Sequence, residues 1–137
     1  MQNNPTLPLL VVAAALQSDD GKILLQRRPR GRSMAGLWEF PGGKIEDGET
    51  PEAALARELA EELSIGVEPT DLVPACFASA TIGERPLLLL LFSCKQWSGE
   101  PVALESPELG WFTVSEMRDL EMPPADLPLL DLLDRLF

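Results

Sequence analysis

The segment from Gly43 to Ile65 constrains the fold most, because it predicts an α-helix that ends in an unfavourable set of charges. Thr50 can cap the start of this helix, Pro51 suits its first turn, and the alanines and leucines that follow are strong helix formers. Three glutamates stand near its C-terminal end: Glu58, Glu61 and Glu62. That end of a helix carries partial negative charge, so carboxylates there lower its stability unless a positive charge compensates them. A divalent cation is the simplest compensation.

Helical geometry allows these glutamates to act together. At about 100° per residue, Leu55, Leu59 and Leu63 share one arc that would face a core, and the glutamates occupy the adjoining arc. All three carboxylates can therefore meet one site at the edge of the buried face. Hard oxygen ligands of this kind suit Mg²⁺ or Mn²⁺, especially when substrate phosphates complete the coordination shell. The alternative is an acidic face in solvent that pairs with Arg57.

The residues before the helix favour a ligand site. Residues 38–44 read Trp-Glu-Phe-Pro-Gly-Gly-Lys, and we expect them to lead from a strand end into a glycine-containing loop. The paired glycines, Gly42 and Gly43, allow positive φ and let the backbone approach a ligand closely. A carbonyl or neighbouring amides could then face a metal–phosphate group. The alternative is an ordinary turn between a strand and a helix.

The loop and helix together resemble the signature of the Nudix hydrolase family. That signature reads Gly, five residues, Glu, seven residues, Arg-Glu, an aliphatic residue, any residue, Glu-Glu, any residue, Gly and an aliphatic residue. The matching residues are Gly43, Glu49, Arg57, Glu58, Leu59, Glu61, Glu62 and Ile65. Ser64 stands where the family usually has a glycine that ends the helix, and we expect Ser64 to adopt the same turn at modest cost.

The resemblance implies an α/β fold, the Nudix α/β/α sandwich with a mixed β-sheet between helices, and a single domain over residues 1–137. The chain length fits one domain with a real core. Apolar runs bounded by turn residues predict strands at Leu7–Leu16, Lys22–Arg27, Leu37–Phe40, Leu72–Ala80, Leu87–Trp97 and Gly110–Val114. Beyond the last strand, we expect Ser115 to cap a short helix and Leu127–Phe137 to form a leucine-rich final helix.

Composition excludes several classes of function. The net charge of −11 disfavours a nucleic-acid polymer as partner, whereas a small nucleotide that carries its own cation escapes this objection. The chain has no histidine, which removes Ser-His and Cys-His mechanisms and His-ligated zinc. Cys76 and Cys94 are expected to be small buried hydrophobes, although a disulfide stays open. Leu7–Leu16 lacks a basic start and is too short to span a bilayer, so we expect a cytoplasmic protein.

Residues 26–29, 36–44 and 123–126 also resemble the MutT-type nucleoside triphosphate pyrophosphohydrolases within the Nudix family. This resemblance implies hydrolysis of a (d)NTP to a (d)NMP and pyrophosphate, with Mg²⁺ as cofactor and Mn²⁺ as possible substitute. The expected substrates are oxidised nucleotides such as 8-oxo-dGTP, and the main alternative is CTP, dCTP or a 5-substituted relative. Hydrolysis of ADP-ribose or dinucleotide polyphosphates, and a non-catalytic nucleotide sensor, are less favoured. The expected partner is a small triphosphate, with no membrane, and a monomer is favoured.

The resemblance also implies a role for each matching residue. The expected metal ligands are the Gly42 carbonyl, Glu58, Glu61, Glu62 and Glu105. Glu105 could instead be a general base or simply a solvated acid. Arg57 is expected to orient the glutamates through charge-assisted hydrogen bonds, and Glu49 to support the loop. Arg28 and Arg85 are expected near the base or the phosphates, with Glu39, Phe40 and Pro41 at the pocket wall. Arg30 and Arg32 are expected in a solvated loop.

Asp126 is the residue that bears most on the choice of base. The MutT-type pattern has asparagine here, whose amide both donates and accepts hydrogen bonds, as the N7–H and O6 of 8-oxoguanine require. An ionised aspartate only accepts, which suits an exocyclic amine such as N4 of cytosine. A buried, protonated Asp126 could still bind 8-oxoguanine. Asp126 could also cap the last helix, since one oxygen can serve each purpose.

Overall fold

The computed structural model describes residues 7–136, which form seven strands and three α-helices. The strands are β1 (Leu9–Leu16), β2 (Ile23–Arg27), β3 (Trp38–Glu39), β4 (Gly42–Lys44), β5 (Val73–Ile82), β6 (Arg85–Cys94) and β7 (Leu109–Phe112). The helices are α1 (Pro51–Leu63), α2 (Val114–Met117) and α3 (Leu127–Leu136), and a 3₁₀ turn spans Pro69–Asp71. The last residue of the predicted final helix, Phe137, lies outside the described residues.

Two sheets organise the strands. The larger has the order β4-β1-β6-β5, in which β1 and β6 run parallel and the other neighbours are antiparallel. The mixed sheet predicted from the sequence is therefore confirmed. The smaller sheet has the order β3-β2-β7 and is antiparallel throughout. The two sheets come together at α1, where the Gln26 side chain of β2 and the Gly42 N–H of β4 both donate to Glu62.

The larger sheet lies between two helices because β1 is apolar on both faces. Val12, Ala14 and Leu16 pack in the cluster that contains the α1 leucines, whereas Ala13 and Ala15 pack in the cluster that contains the α3 leucines. Successive side chains of a strand point to opposite faces, so a strand with no polar alternation requires cover on both sides. The sandwich follows directly from this pattern.

Helix α1 begins, packs and ends as the sequence predicts. Thr50 Oγ1 accepts a hydrogen bond from the Ala53 N–H at 3.1 Å, and Pro51 occupies the first turn. The leucines predicted to face the core are fully buried: Leu55, Leu59 and Leu63. Ser64 adopts the left-handed conformation at φ 59°, and its N–H donates to the Ala60 carbonyl at 3.1 Å. A serine therefore ends this helix in the turn where the family usually has glycine.

Several boundaries differ from the sequence predictions. Ser115 does not cap α2; Thr113 does, because Glu116 stands three residues after it and the pair forms a reciprocal capping box. The preceding strand consequently ends at Phe112, before the predicted Val114. Strand β6 ends at Cys94 instead of Trp97, and β5 continues to Ile82.

The two cysteines are free thiols on these paired strands. Cys94 is buried as expected, while Cys76 is only partly buried. A disulfide between them is absent, so the core holds them as small apolar side chains. Among residues 7–136, no helix is long and apolar enough to cross a membrane.

Candidate active site

A cavity of about 790 Å³ opens beside the C-terminal half of α1. Its volume lies in the range of small-molecule binding sites. Two sets of charged residues line it. We call Glu58 and Glu62 the α1 carboxylates, and Arg28, Glu39 and Asp126 the Asp126 group. Glu39 connects the two sets electrostatically, since its charge helps to raise the pKa of both Glu62 and Asp126.

Glu62 is the most buried carboxylate of α1, with 7% of its surface exposed. Its Oε2 accepts hydrogen bonds from Gln26 Nε2 at 2.8 Å and from the Gly42 N–H at 3.2 Å. Burial raises the pKa of Glu62 to about 8, and the negative charge of Glu58 adds to the rise. A carboxylate in this position requires a nearby positive charge to remain ionised at neutral pH.

Glu58 lies against Gly43, and two different close contacts explain why positions 42 and 43 are both glycine. A Cβ on Gly43 would lie 2.4 Å from the Glu58 carboxyl, and a Cβ on Gly42 would lie 2.0 Å from the Val12 carbonyl oxygen. Both glycines belong to β4, which pairs with β1, so they serve close packing rather than a free loop. Burial raises the pKa of Glu58, with further rises from Glu61 and Glu105 and an opposing effect of Arg57.

Arg57 ties α1 to the segment before it. Its Nε and Nη2 bind the two carboxylate oxygens of Glu49 at 2.8 and 2.9 Å, and its Nη1 donates to Glu58 at 3.0 Å. Nη2 also donates to the Lys44 carbonyl at 3.1 Å. The hydrogen bonds from Arg57 hold the pKa of Glu49 at about 2. This two-pronged arrangement is the geometry for which arginine is suited, and it agrees with the orienting role implied by the resemblance.

Glu61 differs from the other two glutamates of the helix. Its side chain is 53% exposed, lies 3.4 Å from Arg57, and does not line the cavity. The reason is helical: Glu58 and Glu62 are four residues apart and about 40° apart around the axis, whereas Glu61 lies about 100° from Glu62. Within residues 7–136, no three acidic or cysteine side chains converge closely enough to form a metal site alone. The prediction that all three carboxylates share one site is therefore wrong for Glu61, and only Glu58 and Glu62 line the cavity.

The cavity nevertheless fits a hard divalent cation. The groups that could bind the cation at α1 are the carboxylates of Glu58 and Glu62, and burial raises the pKa of both. The glycine strand β4 lies against them. Oxygen donors of this kind suit Mg²⁺, which usually completes its shell with water and phosphate. Gly42 also lines the cavity, so its main chain is within the same site.

The loop that carries Glu105 is held by the end of α1. The N–H groups of Val102 and Leu104 donate to the Leu63 and Glu62 carbonyls at 2.9 and 3.1 Å. These are carbonyls that a helix C-terminus leaves without partners of its own. The two bonds bring Glu105 to the cavity, where its charge contributes to the raised pKa of Glu58. Glu105 itself is exposed, so its position is compatible with a metal ligand, a general base and a solvated acid.

The Asp126 group is built from three separate parts of the chain. Arg28 Nη1 binds Glu39 Oε2 at 2.8 Å, and Arg28 Nε donates to the Ser33 carbonyl at 2.8 Å. Asp126 is 8% exposed, and burial raises its pKa to about 7, with a further rise from Glu39. The Phe40 N–H and Arg28 oppose that rise. The main-chain carbonyl of Asp126, not its side chain, accepts the Leu129 N–H in the first turn of α3.

Two of the predicted substrate contacts and one residue predicted to be solvated are placed differently from expectation. Arg85 and Pro41 do not line the cavity. Arg85 Nε donates to the Leu7 carbonyl at 3.4 Å, and the Pro41 carbonyl accepts the Ala14 N–H at 2.9 Å. Arg32, predicted to lie in a solvated loop, is exposed but lines the cavity. Burial raises the pKa of Glu39, and the charge of Arg32 opposes that rise. Arg30 is exposed, as predicted.

Sequence reasoning missed Gln26 and the apolar wall. Gln26 is a buried polar residue in a strand of otherwise buried hydrophobics, and that anomaly was a usable signal. The apolar wall includes Val11, Ala80, Leu87 and Leu89. These residues read as ordinary strand hydrophobics, so nothing in the sequence distinguishes wall from core.

Comparison with known proteins identifies the family of this chain. Residues 7–133 match the NUDIX domain family. The chain is 38% identical over 125 residues to the CTP pyrophosphohydrolase of Escherichia coli K12, covering 91% of each protein. It is 33% identical over 128 residues to the 8-oxo-dGTP diphosphatase of the same strain, covering 93% of this chain and 98% of that protein.

Solved structures give the same result for the fold. The solution structure of the E. coli ORF135 protein superposes with a TM-score of 0.83 at 36% identity, covering 93% of this chain and 89% of that one. A MutT structure from a study of Aliivibrio salmonicida and Vibrio cholerae superposes with a TM-score of 0.79 at 28% identity, covering 96% and 100%. The chain therefore belongs to the Nudix hydrolase family, among its MutT-like nucleotide pyrophosphohydrolases.

Proposed function

We propose that this Nudix enzyme hydrolyses nucleoside triphosphates to nucleoside monophosphates and pyrophosphate with Mg²⁺ as its cofactor. The observation that carries the proposal is the pair formed by half-buried Glu58 and buried Glu62, which lie against the glycine strand β4 in a nucleotide-sized cavity. Nudix hydrolases generally need a divalent cation. When bound, such an ion supplies charge that polarises a phosphate and lowers the pKa of a bound water.

The other roles in the reaction are assigned to the residues that line the cavity. Glu58, Glu62, the Gly42 carbonyl and Glu105 would hold the cation, with Mn²⁺ as a possible substitute. Glu61 would join them only if its carboxylate left Arg57. Lys44 lines the same cavity and can offset phosphate charge. The apolar wall would exclude water from the nucleotide, which strengthens each of these electrostatic interactions.

For the base, we favour an oxidised purine such as that of 8-oxo-dGTP. This proposal uses the protonated form of Asp126, which the pKa near 7 makes accessible at neutral pH. A protonated carboxyl both donates and accepts a hydrogen bond, as the edge of 8-oxoguanine requires. The E. coli 8-oxo-dGTP diphosphatase, at 33% identity over nearly the whole chain, supports the same class of substrate.

A second candidate substrate is a cytosine nucleotide. The ionised form of Asp126 only accepts hydrogen bonds and would suit the N4 amine of CTP or dCTP. The E. coli CTP pyrophosphohydrolase, at 38% identity, supports this alternative. The two candidates therefore correspond to the two protonation states of one side chain, and pH should shift the preference between them.

The reaction is tested by following pyrophosphate release from 8-oxo-dGTP, dGTP, CTP, dCTP and 5-substituted dCTP at saturating Mg²⁺. We expect pyrophosphate and a monophosphate as products, and faster turnover of these nucleotides than of ADP-ribose or dinucleotide polyphosphates. Glu52→Gln serves as a control on the same helix, because Glu52 does not line the cavity. Release of inorganic phosphate would contradict the proposed bond cleavage. Tight binding without turnover would instead indicate a nucleotide sensor.

The expected partner is the small triphosphate itself. A net charge of −11 disfavours binding to a nucleic-acid polymer. We place the enzyme in the cytoplasm, where nucleoside triphosphates are used, and favour a monomer. Cell fractionation and sedimentation equilibrium test these two points separately from the reaction.

A further inference from the structure

Gln26 occupies an unusual position beside the α1 carboxylates. It lies in the middle strand of the smaller sheet, opposite Glu39 of β3 and Leu109 of β7, and only 5% of its surface is exposed. Its Nε2 donates to Glu62 Oε2 at 2.8 Å. Its Oε1 is buried and has no hydrogen-bond partner among residues 7–136. The amide is therefore satisfied at one end only.

Folding stability does not account for a glutamine at this position. A buried acceptor without a partner costs free energy, and an apolar side chain of similar size would avoid that cost. The neighbouring positions of β2, Leu24 and Leu25, are fully buried and apolar. Within residues 7–136, the hydrogen bond to Glu62 is the one hydrogen bond of the Gln26 side chain. A function at Glu62 is thus the natural reason to retain the amide.

The two hydrogen bonds to Glu62 converge on the same oxygen. Gln26 Nε2 and the Gly42 N–H both donate to Oε2, at 2.8 and 3.2 Å. The donors come from different sheets, Gln26 from β2 and Gly42 from β4. Two donors anchored on separate sheets restrict rotation of the carboxyl group, and they leave Oε1 as the oxygen available to the cavity that Glu62 lines.

We propose that Gln26 is a positioning residue that holds Oε2 of Glu62 and so presents Oε1 to the catalytic cation. The inference rests on the proposed function, because it requires Glu62 to be a metal ligand. Residues that orient a metal ligand by a hydrogen bond typically change metal affinity or activity 10- to 100-fold when substituted. Gln26 contacts neither the cation nor the nucleotide in this role.

The test is Gln26→Met, which keeps the length of the side chain and removes the amide. We expect Mn²⁺ binding to the nucleotide-free protein, followed by electron paramagnetic resonance, to weaken about 10-fold or more, with a similar fall in kcat. The KM for nucleotide should change little. The melting temperature without metal should not fall, because the unpartnered acceptor is removed with the donor.

The chain offers a matched control in Gln17. Its Oε1 is also buried without a partner among the described residues, and Gln17 lies at a β-bridge to Ile23, outside the cavity lining. Gln17→Met should leave Mn²⁺ affinity and kcat at the wild-type values. If Gln26→Met does not fold, Gln26→Asn keeps a polar side chain but withdraws the donor by one methylene, and the same loss of affinity is expected.

The outcomes separate this inference from the proposed function. If the wild-type protein bound no Mn²⁺, the proposed metal site itself would be contradicted. Wild-type binding together with unchanged affinity and kcat in a folded Gln26 variant would overturn the positioning role alone. Equal losses in the Gln26 and Gln17 variants would also overturn it, since the effect would then be a general consequence of removing a buried amide.

Discussion

The α1 carboxylates and the Asp126 group line the same cavity, but they are assembled in opposite ways. Glu58 and Glu62 come from a single helix, four residues apart, and the glycine strand that covers them lies just before it in the chain. Arg28, Glu39 and Asp126 come from segments that meet only in the folded protein. The proposed metal ligands of α1 are thus encoded locally, whereas the residues proposed to recognise the base come together only in the tertiary structure.

The two sets also differ in whether a neighbouring positive charge offsets the effect of burial on the pKa of the carboxyl group. Burial raises the pKa of Glu62 to about 8 and that of Asp126 to about 7. A cation bound at α1 would lower the pKa of Glu62 again, because an opposite charge favours the ionised form. Asp126 has Arg28 as its positive neighbour, but Arg28 is already paired with Glu39. Asp126, with a pKa of about 7, is therefore a group that can titrate near neutral pH.

The largest effect should follow from Glu62→Gln. The amide keeps the size of the side chain and removes the charge that a cation requires, so kcat should fall on the order of 10³-fold at saturating Mg²⁺. Glu61→Gln should cost less than 10-fold, because Glu61 does not line the cavity. Steady-state pyrophosphate assays measure both variants. Equal losses would mean that Glu61 turns inward in the working enzyme.

A smaller effect is expected from Gly43→Ala. The new Cβ would lie 2.4 Å from the Glu58 carboxyl, which is the flexible end of a side chain, so the protein should fold while Glu58 is displaced. We expect kcat to fall roughly 10- to 100-fold, as for other residues that orient a ligand. Gly66→Ala is the control, since its Cβ would meet only the Ser98 hydroxyl, outside the cavity lining. Wild-type activity in Gly43→Ala would exclude a fixed position for Glu58.

Asp126→Asn should change substrate preference more than rate. The amide cannot ionise, so the ratio of kcat/KM for 8-oxo-dGTP over CTP should rise by about 10-fold at pH 8, the value expected for one hydrogen bond to a charged group. In the wild-type protein this ratio should fall as pH rises through about 7, where Asp126 loses its proton. In the variant it should be independent of pH. Asp131→Asn, on the exposed side of α3, is the control.

The smallest effect concerns stability without metal. The pKa of Glu62 is about 8 in the folded protein, above its ordinary 4.5, so the contribution of Glu62 to stability is fully present below pH 4.5 and is lost as pH rises through about 8. Glu62→Gln abolishes this loss, and its melting temperature should exceed that of the wild-type protein by several degrees at pH 8 and match it near pH 4. Calorimetry measures this difference in melting temperature between the two proteins. Added Mg²⁺ should reduce it, because a bound cation stabilises the ionised Glu62 of the wild-type protein. A difference independent of pH would contradict the raised pKa.

Most of α1 could be predicted because its signals are local. Thr50, the leucine arc and Ser64 each depend on neighbours within a few residues, and the structure confirms all three. The cap of α2 is equally local, but the prediction of Ser115 is wrong, because Thr113 and Glu116 form a reciprocal capping box two residues earlier. The exclusion of Arg85 from the cavity lining depends on where the β5–β6 hairpin lies, which no local pattern states.

The sequence by itself determined the helix, its glutamates and the glycine pair, because helical spacing and backbone sterics act over short stretches of chain. It also determined the family and the class of bond that is cleaved. Only the tertiary structure decided that Glu61 lies outside the cavity lining while Gln26 holds Glu62, and that Asp126 is buried beside Glu39. The physical reason is desolvation: a pKa depends on everything packed around a carboxyl group, and that environment exists only once distant segments have come together.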